Sequence, residues 1–212
     1  MAGIAVTGLA LGELDTNCWL VSDVAEGPLL VIDPAGDAER LIEVLADRAV
    51  AAVVLTHGHF DHLGAASAVL AATGAPLLIH AADAAAITSA QANGGAAFGF
   101  DAVAPAPDRL LTEDDRVEAG GLRLKVIHTP GHTPGSICLL AESVDPPHLF
   151  SGDTLFAGSV GRTDFPGGDP RAMRDSIARL AALPPTTAVH PGHGPDSTIA
   201  REARTNFFWP RA

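Results

Sequence analysis

A chain of 212 residues that is 47% hydrophobic has enough apolar side chains to bury one sizeable core. Its 13 Lys and Arg against 25 Asp and Glu leave a formal charge of −12, which repels phosphate backbones and anionic lipid, so neither nucleic acid nor a membrane is an expected partner. Two isolated cysteines, Cys18 and Cys138, signal neither a disulfide framework nor a thiolate zinc site and suit a reducing, cytoplasmic setting.

Residues 1–14 hold no Lys or Arg and no long apolar stretch ahead of a small-residue cleavage pattern, so they read as a first strand around 4–9 rather than a signal peptide. Apolar runs at 19–22 and 29–32 predict two more strands, with turns at Glu26-Gly27-Pro28 and Asp33-Pro34. A helix starts at Asp37, its apolar face set by Leu41, Ile42, Val44 and Leu45. Residues 51–56 then form a short buried strand that stops at a cluster of His, Gly and Asp, and the ends of buried strands are where sites sit in layered α/β folds. The uncharged stretch between Asp61 and Asp83 is long enough to span a bilayer, but it is mostly Ala and is split by Gly74 and Pro76. It therefore reads as a helix at 63–72 and a strand at 77–80.

Residues 89–108 are rich in Ala, Gly and Pro with weak periodicity and read as a surface excursion, either a linker or a lid. Strands at 116–118, 122–128, 136–141 and 148–151, a helix at 170–183 and a last strand at 187–190 complete two β-rich halves, each carrying helices. Nothing in the pattern demands a boundary, so the expectation is one domain over 1–212.

The segment Thr56-His57-Gly58-His59-Phe60-Asp61-His62 crowds four potential metal ligands into one turn. Imidazole nitrogen and carboxylate oxygen suit zinc, iron and manganese, and their alternation lets one turn face two directions. A dinuclear hydrolytic site, with ions roughly 3.5 to 4 Å apart, needs further ligands and usually a bridging carboxylate. Candidates are His132 in Thr129-Pro130-Gly131-His132-Thr133-Pro134-Gly135, Asp153 in Ser151-Gly152-Asp153-Thr154, and His193 in Pro191-Gly192-His193-Gly194, each beside glycines that let the backbone bend.

Together with Val31-Ile32-Asp33-Pro34 and Gly161-Arg162-Thr163-Asp164, the order and spacing of these segments resemble the metallo-β-lactamase superfamily, and within it the compact glyoxalase II-like branch, the hydroxyacylglutathione hydrolases. The resemblance implies an α/β fold, an αβ/βα sandwich of two packed mixed sheets with helices on the outer faces. It implies that His57, His59 and His132 bind one divalent ion, and that Asp61, His62 and His193 bind a second, with Asp153 bridging. The ions would be zinc, with iron and manganese as alternatives. Asp61 and Asp153 would support attack by a metal-bound water on a small acyl-thiol thioester of the S-lactoylglutathione type. A thioester is apt because its leaving thiolate has a pKa near that of free Cys, about 8.5, and departs with little acid assistance. The helical C-terminal domain of full-length glyoxalase II, which supplies tyrosine and basic contacts to glutathione, is expected to be missing, and the sequence has no tyrosine.

The same segments are similar to those of the persulfide dioxygenases, in which His57, His132 and Asp153 would hold a single iron; a lactonase or another hydrolase of this fold is a further alternative. Asp33 is either a turn residue or a carboxylate that orients a ligand histidine. Arg162 and Asp164 either position substrate or hold their loop by an ion pair, and Arg162 is the best local cation for an acidic substrate. His80, His128, His148 and His190 read as structural, and Cys18 and Cys138 as buried and inert. The oligomeric state is not encoded in any of these patterns.

Overall fold

The computed structural model describes residues 3–24, 27–46 and 48–210. Strands β1 (Ala5–Leu11), β2 (Thr16–Ser22) and β3 (Leu29–Ile32) form an antiparallel meander. The chain then passes through helix α1 (Ala38–Leu45) to β4 (Val50–Leu55), through α2 (Ala66–Thr73) to β5 (Leu77–His80), and through a long excursion to β6 (Arg109–Leu111). Crossovers of this length return the chain parallel to where it left. β3 to β6 are accordingly parallel, completing a six-stranded sheet in sequence order.

A second six-stranded sheet takes β7 (Arg116–Ala119), β8 (Leu122–His128), β9 (Ile137–Ala141) and β10 (His148–Gly152). After a small ribbon of β11 (Leu155–Phe156) and β12 (Ser159–Val160), helix α3 (Pro170–Leu180) carries the chain to β13 (Ala188–Pro191), β14 (Ser197–Thr198) and α4 (Ile199–Thr205). The order is β14-β13-β10-β9-β8-β7, antiparallel throughout except for β10 and β13, which the α3 crossover makes parallel.

Period-two alternation of apolar side chains decides the layering. Leu30 and Ile32 of β3 and Ala52 and Val54 of β4 pack against Leu124, Val126, Leu139 and Phe150 of the other sheet. Their sequence neighbours Leu29, Val31, Val53 and Leu55 pack with Leu41 and Leu45 of α1 and Ala66 and Val69 of α2. On the far side Cys138, Leu140, Leu149 and Val189 pack with Met173, Ile177 and Leu180 of α3 and Ile199 of α4. The architecture is the αβ/βα sandwich that the resemblance implied, and helices α1 to α4 lie outside the sheets. Among the described residues no helix is long and apolar enough to cross a membrane.

Several boundaries differ from the expectations. Helix α2 starts at Ala66 because the preceding residues form a 3₁₀ turn, Phe60–His62, that the periodicity of the apolar residues does not distinguish from a helix. Helix α3 stops at Leu180, followed by i→i+3 turns ahead of Pro184 and Pro185. The short strands β6, β11, β12 and β14 and the charged helix α4 have no sequence signal of their own; their partner strands and the Thr198 cap define them. Residues 1, 2 and 26 of the expected first strand and turn lie outside the described residues. The 89–108 excursion is pinned from within: Asn93 donates to Ala102 O and accepts from Gly95 N, and its own carbonyl accepts from Phe60 N.

Candidate metal centre

Because β3 and β4 are parallel neighbours, they end at the same edge and set Asp33 beside Thr56. Asp33, at φ 53°, points its carboxylate back along the edge, where it accepts from Thr56 N at 2.8 Å, Thr56 Oγ1 at 2.7 Å and His62 Nδ1 at 2.9 Å. The parallel pair β10 and β13 does the same for the second sheet, ending at Asp153 and His193 on adjacent loops. Ile137 N donates to Thr56 O and Asn17 N to Gly192 O, which joins the two sheets at this edge. His132 arrives on the loop between β8 and β9.

The structure brings all seven predicted ligands together. Donor atoms of His57, His59 and His132 lie within 4.8 Å of one another, as do those of Asp61, His62 and His193, and those of His57, His62 and Asp153. Asp153 faces both triads, with Oδ1 at 3.3 Å from His62 Nε2 and Oδ2 at 3.5 Å from His132 Nε2 and 3.8 Å from His193 Nε2. Asp61 Oδ2 accepts from Thr16 Oγ1 at 3.3 Å and lies 3.1 Å from His193 Nε2.

Hydrogen bonds on the far sides of the rings decide which nitrogens carry protons. His132 Nδ1 donates to the Arg162 carbonyl at 2.7 Å, and His62 Nδ1 donates to the Asp33 carboxylate. The Thr56 hydroxyl gives its proton to Asp33, so His57 Nδ1 donates to the hydroxyl oxygen. Each arrangement leaves the Nε2 lone pair aimed into the cluster. Buried His57 Nε2, His62 Nε2 and Asp153 Oδ1 have no hydrogen-bond partner there. Orphaned buried polar atoms on this scale are costly, and a pair of divalent cations would satisfy all three at once. The donor set thus fits a dinuclear site of borderline ligands.

The electrostatics agree. Burial, followed by repulsion from the other imidazoles, holds His57 well below the usual histidine range, and burial with His132 beside it holds His59 at about 4. Against burial, which favours the neutral acid, the neighbouring imidazoles keep Asp61 and Asp153 below the usual carboxylate range. His62 is raised well above the usual histidine range, because against its burial the Asp153, Asp61 and Asp33 carboxylates favour the charged ring.

Close packing leaves no room for a side chain at two points. A Cβ on Gly161 would lie 1.9 Å from Asp153 O, and one on Gly192 would lie 2.4 Å from Asp153 Oδ1 and 2.6 Å from His62 Cε1. Sequence reasoning missed Asp83, a buried carboxylate that accepts from Gly58 N, Thr133 Oγ1 and Gly135 N and so ties the first histidine loop to the loop of His132. Its position just past β5, at the same edge as Thr56, was the available signal. The structure also gives Thr56 more than the end of a strand, since its hydroxyl relays between Asp33 and His57.

The remaining histidines stand apart from the cluster. His128 stacks on His80 at 4.0 Å and bonds to Pro134 O, while His148 and His190 pair with each other at 2.8 Å. Arg162 and Asp164 form a two-pronged, exposed ion pair with both bonds at 2.7 Å, and the guanidinium covers the Phe165 ring. Cys18 and Cys138 are buried, and burial pushes the Cys138 thiol up to about 11.

The profile of the metallo-beta-lactamase superfamily matches residues 11–193. A hydroxyacylglutathione hydrolase, GloC, of Haemophilus influenzae is 34% identical over 197 residues, covering 91% of this chain and 92% of its own. The crystal structure of the BLEG-1 B3 metallo-beta-lactamase superimposes with a TM-score of 0.90 at 35% identity, covering 96% of this chain and 99% of that one. The structure of TTHA1623 in a di-iron-bound form gives a TM-score of 0.81 at 38% identity, with 96% and 100% covered.

Proposed function

The chain belongs to the metallo-β-lactamase superfamily, and we propose that it is a metal-dependent hydrolase that cleaves the thioester of a small acyl-thiol. In this reading His57, His59 and His132 hold one divalent cation, Asp61, His62 and His193 hold the other, and Asp153 lies between them. The observation that carries the reading is the convergence of three buried, unpartnered ligand atoms, His57 Nε2, His62 Nε2 and Asp153 Oδ1, between two donor triads. The similarity to GloC of Haemophilus influenzae supports a thioester as substrate.

When bound, a pair of cations supplies a strong nucleophile from water at neutral pH and polarises the carbonyl that it attacks. The chain's own residues prepare that chemistry. Asp33 and the Arg162 carbonyl hold His62 and His132 in the tautomer that presents Nε2. Asp61, tied by Thr16 and His193, and Asp153 bring negative charge to the centre of the imidazole cluster. Both cysteines are buried and neither belongs to the ligand groups, so no thiol of the described residues stands among them as a nucleophile. The thiolate leaving group departs without a dedicated acid.

The test is elemental metal content on protein purified under anaerobic conditions, followed by a thioester panel monitored by thiol release. About two ions of zinc, iron or manganese per chain and turnover of a thioester are expected. One iron per chain, with oxygen consumed in the presence of a persulfide and no thioester cleaved, would replace the hydrolase with a dioxygenase.

A further inference from the structure

Next to Asp61 a cavity of about 270 Å³ opens between the β1–β2 turn and the 89–108 excursion. Ligand pockets usually run about 300–1,000 Å³, so this one is sized for part of a substrate. Its walls are Leu11, Phe60, Phe100 and Ala102, and its floor includes the Asp61 carboxylate and Thr16. Phe100 stacks on Phe60 at 4.9 Å, Phe98 stacks on Phe60 at 5.8 Å, and Phe98 meets Phe165 at 6.2 Å. Phe165 in turn lies edge-on to His59 at 5.9 Å. Four of the eight phenylalanines of the chain thus form a continuous array from the cavity to the metal ligands, and Phe98 is left 57% exposed there.

The charges around the same cavity are of one sign. Glu13 and Asp37 line its exposed rim, and no Lys or Arg is among the described residues that line it. Arg40 is turned away to the Ala10 carbonyl, and Arg162, on the other side of the aromatic array, is already paired through both prongs with Asp164. A carboxylate held against these walls would lose water beside Glu13 and Asp37 and meet no basic side chain. An aliphatic or aromatic group would exchange water for four apolar walls.

We propose that this cavity takes a neutral, apolar portion of the substrate, so that the preferred thioester carries an uncharged aliphatic or aryl group and not a carboxylate-bearing one. This rests on the thioesterase reading for the chemistry but on the cavity alone for the preference. The probes are two thioethers of N-acetylcysteamine, one S-hexyl and one S-(5-carboxypentyl), titrated calorimetrically into the metal-loaded protein. The hexyl compound is expected to bind at least about tenfold tighter. Phe100→Ala is expected to weaken the hexyl compound by about tenfold and the carboxypentyl compound by less, and Glu13→Lys to narrow the gap between them. Equal or tighter binding of the carboxypentyl compound, no binding of either, or indifference to Phe100→Ala would overturn the assignment. Hydrolysis of the matching S-hexanoyl thioester separates the two readings. Selective hexyl binding without hydrolysis removes the thioesterase and keeps the cavity, whereas hydrolysis without selectivity does the reverse.

Discussion

Asp33→Asn changes one oxygen for one amino group at the hub of three buried hydrogen bonds. Asp33 is 1% exposed and accepts from Thr56 N, Thr56 Oγ1 and His62 Nδ1. Its φ of 53° suits Asn better than Ala, so the backbone is not put under new strain. An amide has only one acceptor oxygen. If the oxygen faces Thr56 Oγ1 and His62, the amino group confronts Thr56 N–H, donor against donor. If it is flipped, the amino group faces His62 Nδ1 and moves that ring's proton to Nε2, where the lone pair is needed. Either way one buried donor or the ligand tautomer is lost, at a cost of about 1–3 kcal/mol. For a chain of this size that corresponds to a fall in Tm of roughly 2–12 °C. Loss of such an orienting partner typically weakens metal affinity about 10–100-fold. Metal-free protein melted by circular dichroism reads the first quantity, and chelator competition on loaded protein reads the second. A variant with unchanged Tm and unchanged release of both ions would refute the claim that Asp33 sets the His62 tautomer.

Other substitutions test neighbouring parts of the argument. Asp153→Ala should abolish thioester turnover and reduce metal retention, because the carboxylate between the two triads is gone and the cations repel across the gap; turnover within about tenfold of wild type would reject a bridging role. Asp83→Ala strands the buried N–H groups of Gly58 and Gly135, while the Thr133 hydroxyl keeps Ser136 Oγ at 2.7 Å, and should cost about 1–3 kcal/mol for each group left unpaired, read as a denaturation midpoint well below that of the parent. Arg162→Ala keeps the backbone carbonyl that receives His132 Nδ1, so metal content per chain should be unchanged; loss of an ion would show that the side chain, not the carbonyl, holds that histidine. Gly161→Ala, one residue earlier, drives a methyl into Asp153 O and should lose metal where Arg162→Ala does not, measured by the same elemental analysis.

The ligand segments were legible in the sequence because chemistry forced unusual residues into short range. Four donors between His57 and His62 have no packing explanation, and the glycines around His132, Asp153 and His193 betray a backbone that must bend toward something. The alternating and continuous apolar runs likewise announced most of the strands, since burial on both faces demands residues such as those of Leu29–Ile32 and Ile137–Ala141. Strands of two or three residues, such as β11, β12 and β14, were not legible, because partners distant in sequence hold them in place.

What only the tertiary structure decided is which polar side chains hold the ligand loops and where the cavity lies. From sequence Asp33 could be a turn residue, Thr56 a strand end and Asp83 nothing in particular; parallel pairing of β3, β4 and β5 brings their ends to one edge, and that alone turns three scattered polar residues into hydrogen-bond partners of the histidine loops. Phe60, Phe98, Phe100 and Phe165 have no mutual periodicity, so their array exists only because the 89–108 excursion folds back through Asn93 onto the metal loop. Local pattern reports what a residue must bury or ligate with its near neighbours. Contacts between segments distant in sequence, such as Asp33 with Thr56 or Phe98 with Phe165, depend on strand order, and strand order is set by the packing of the whole sandwich.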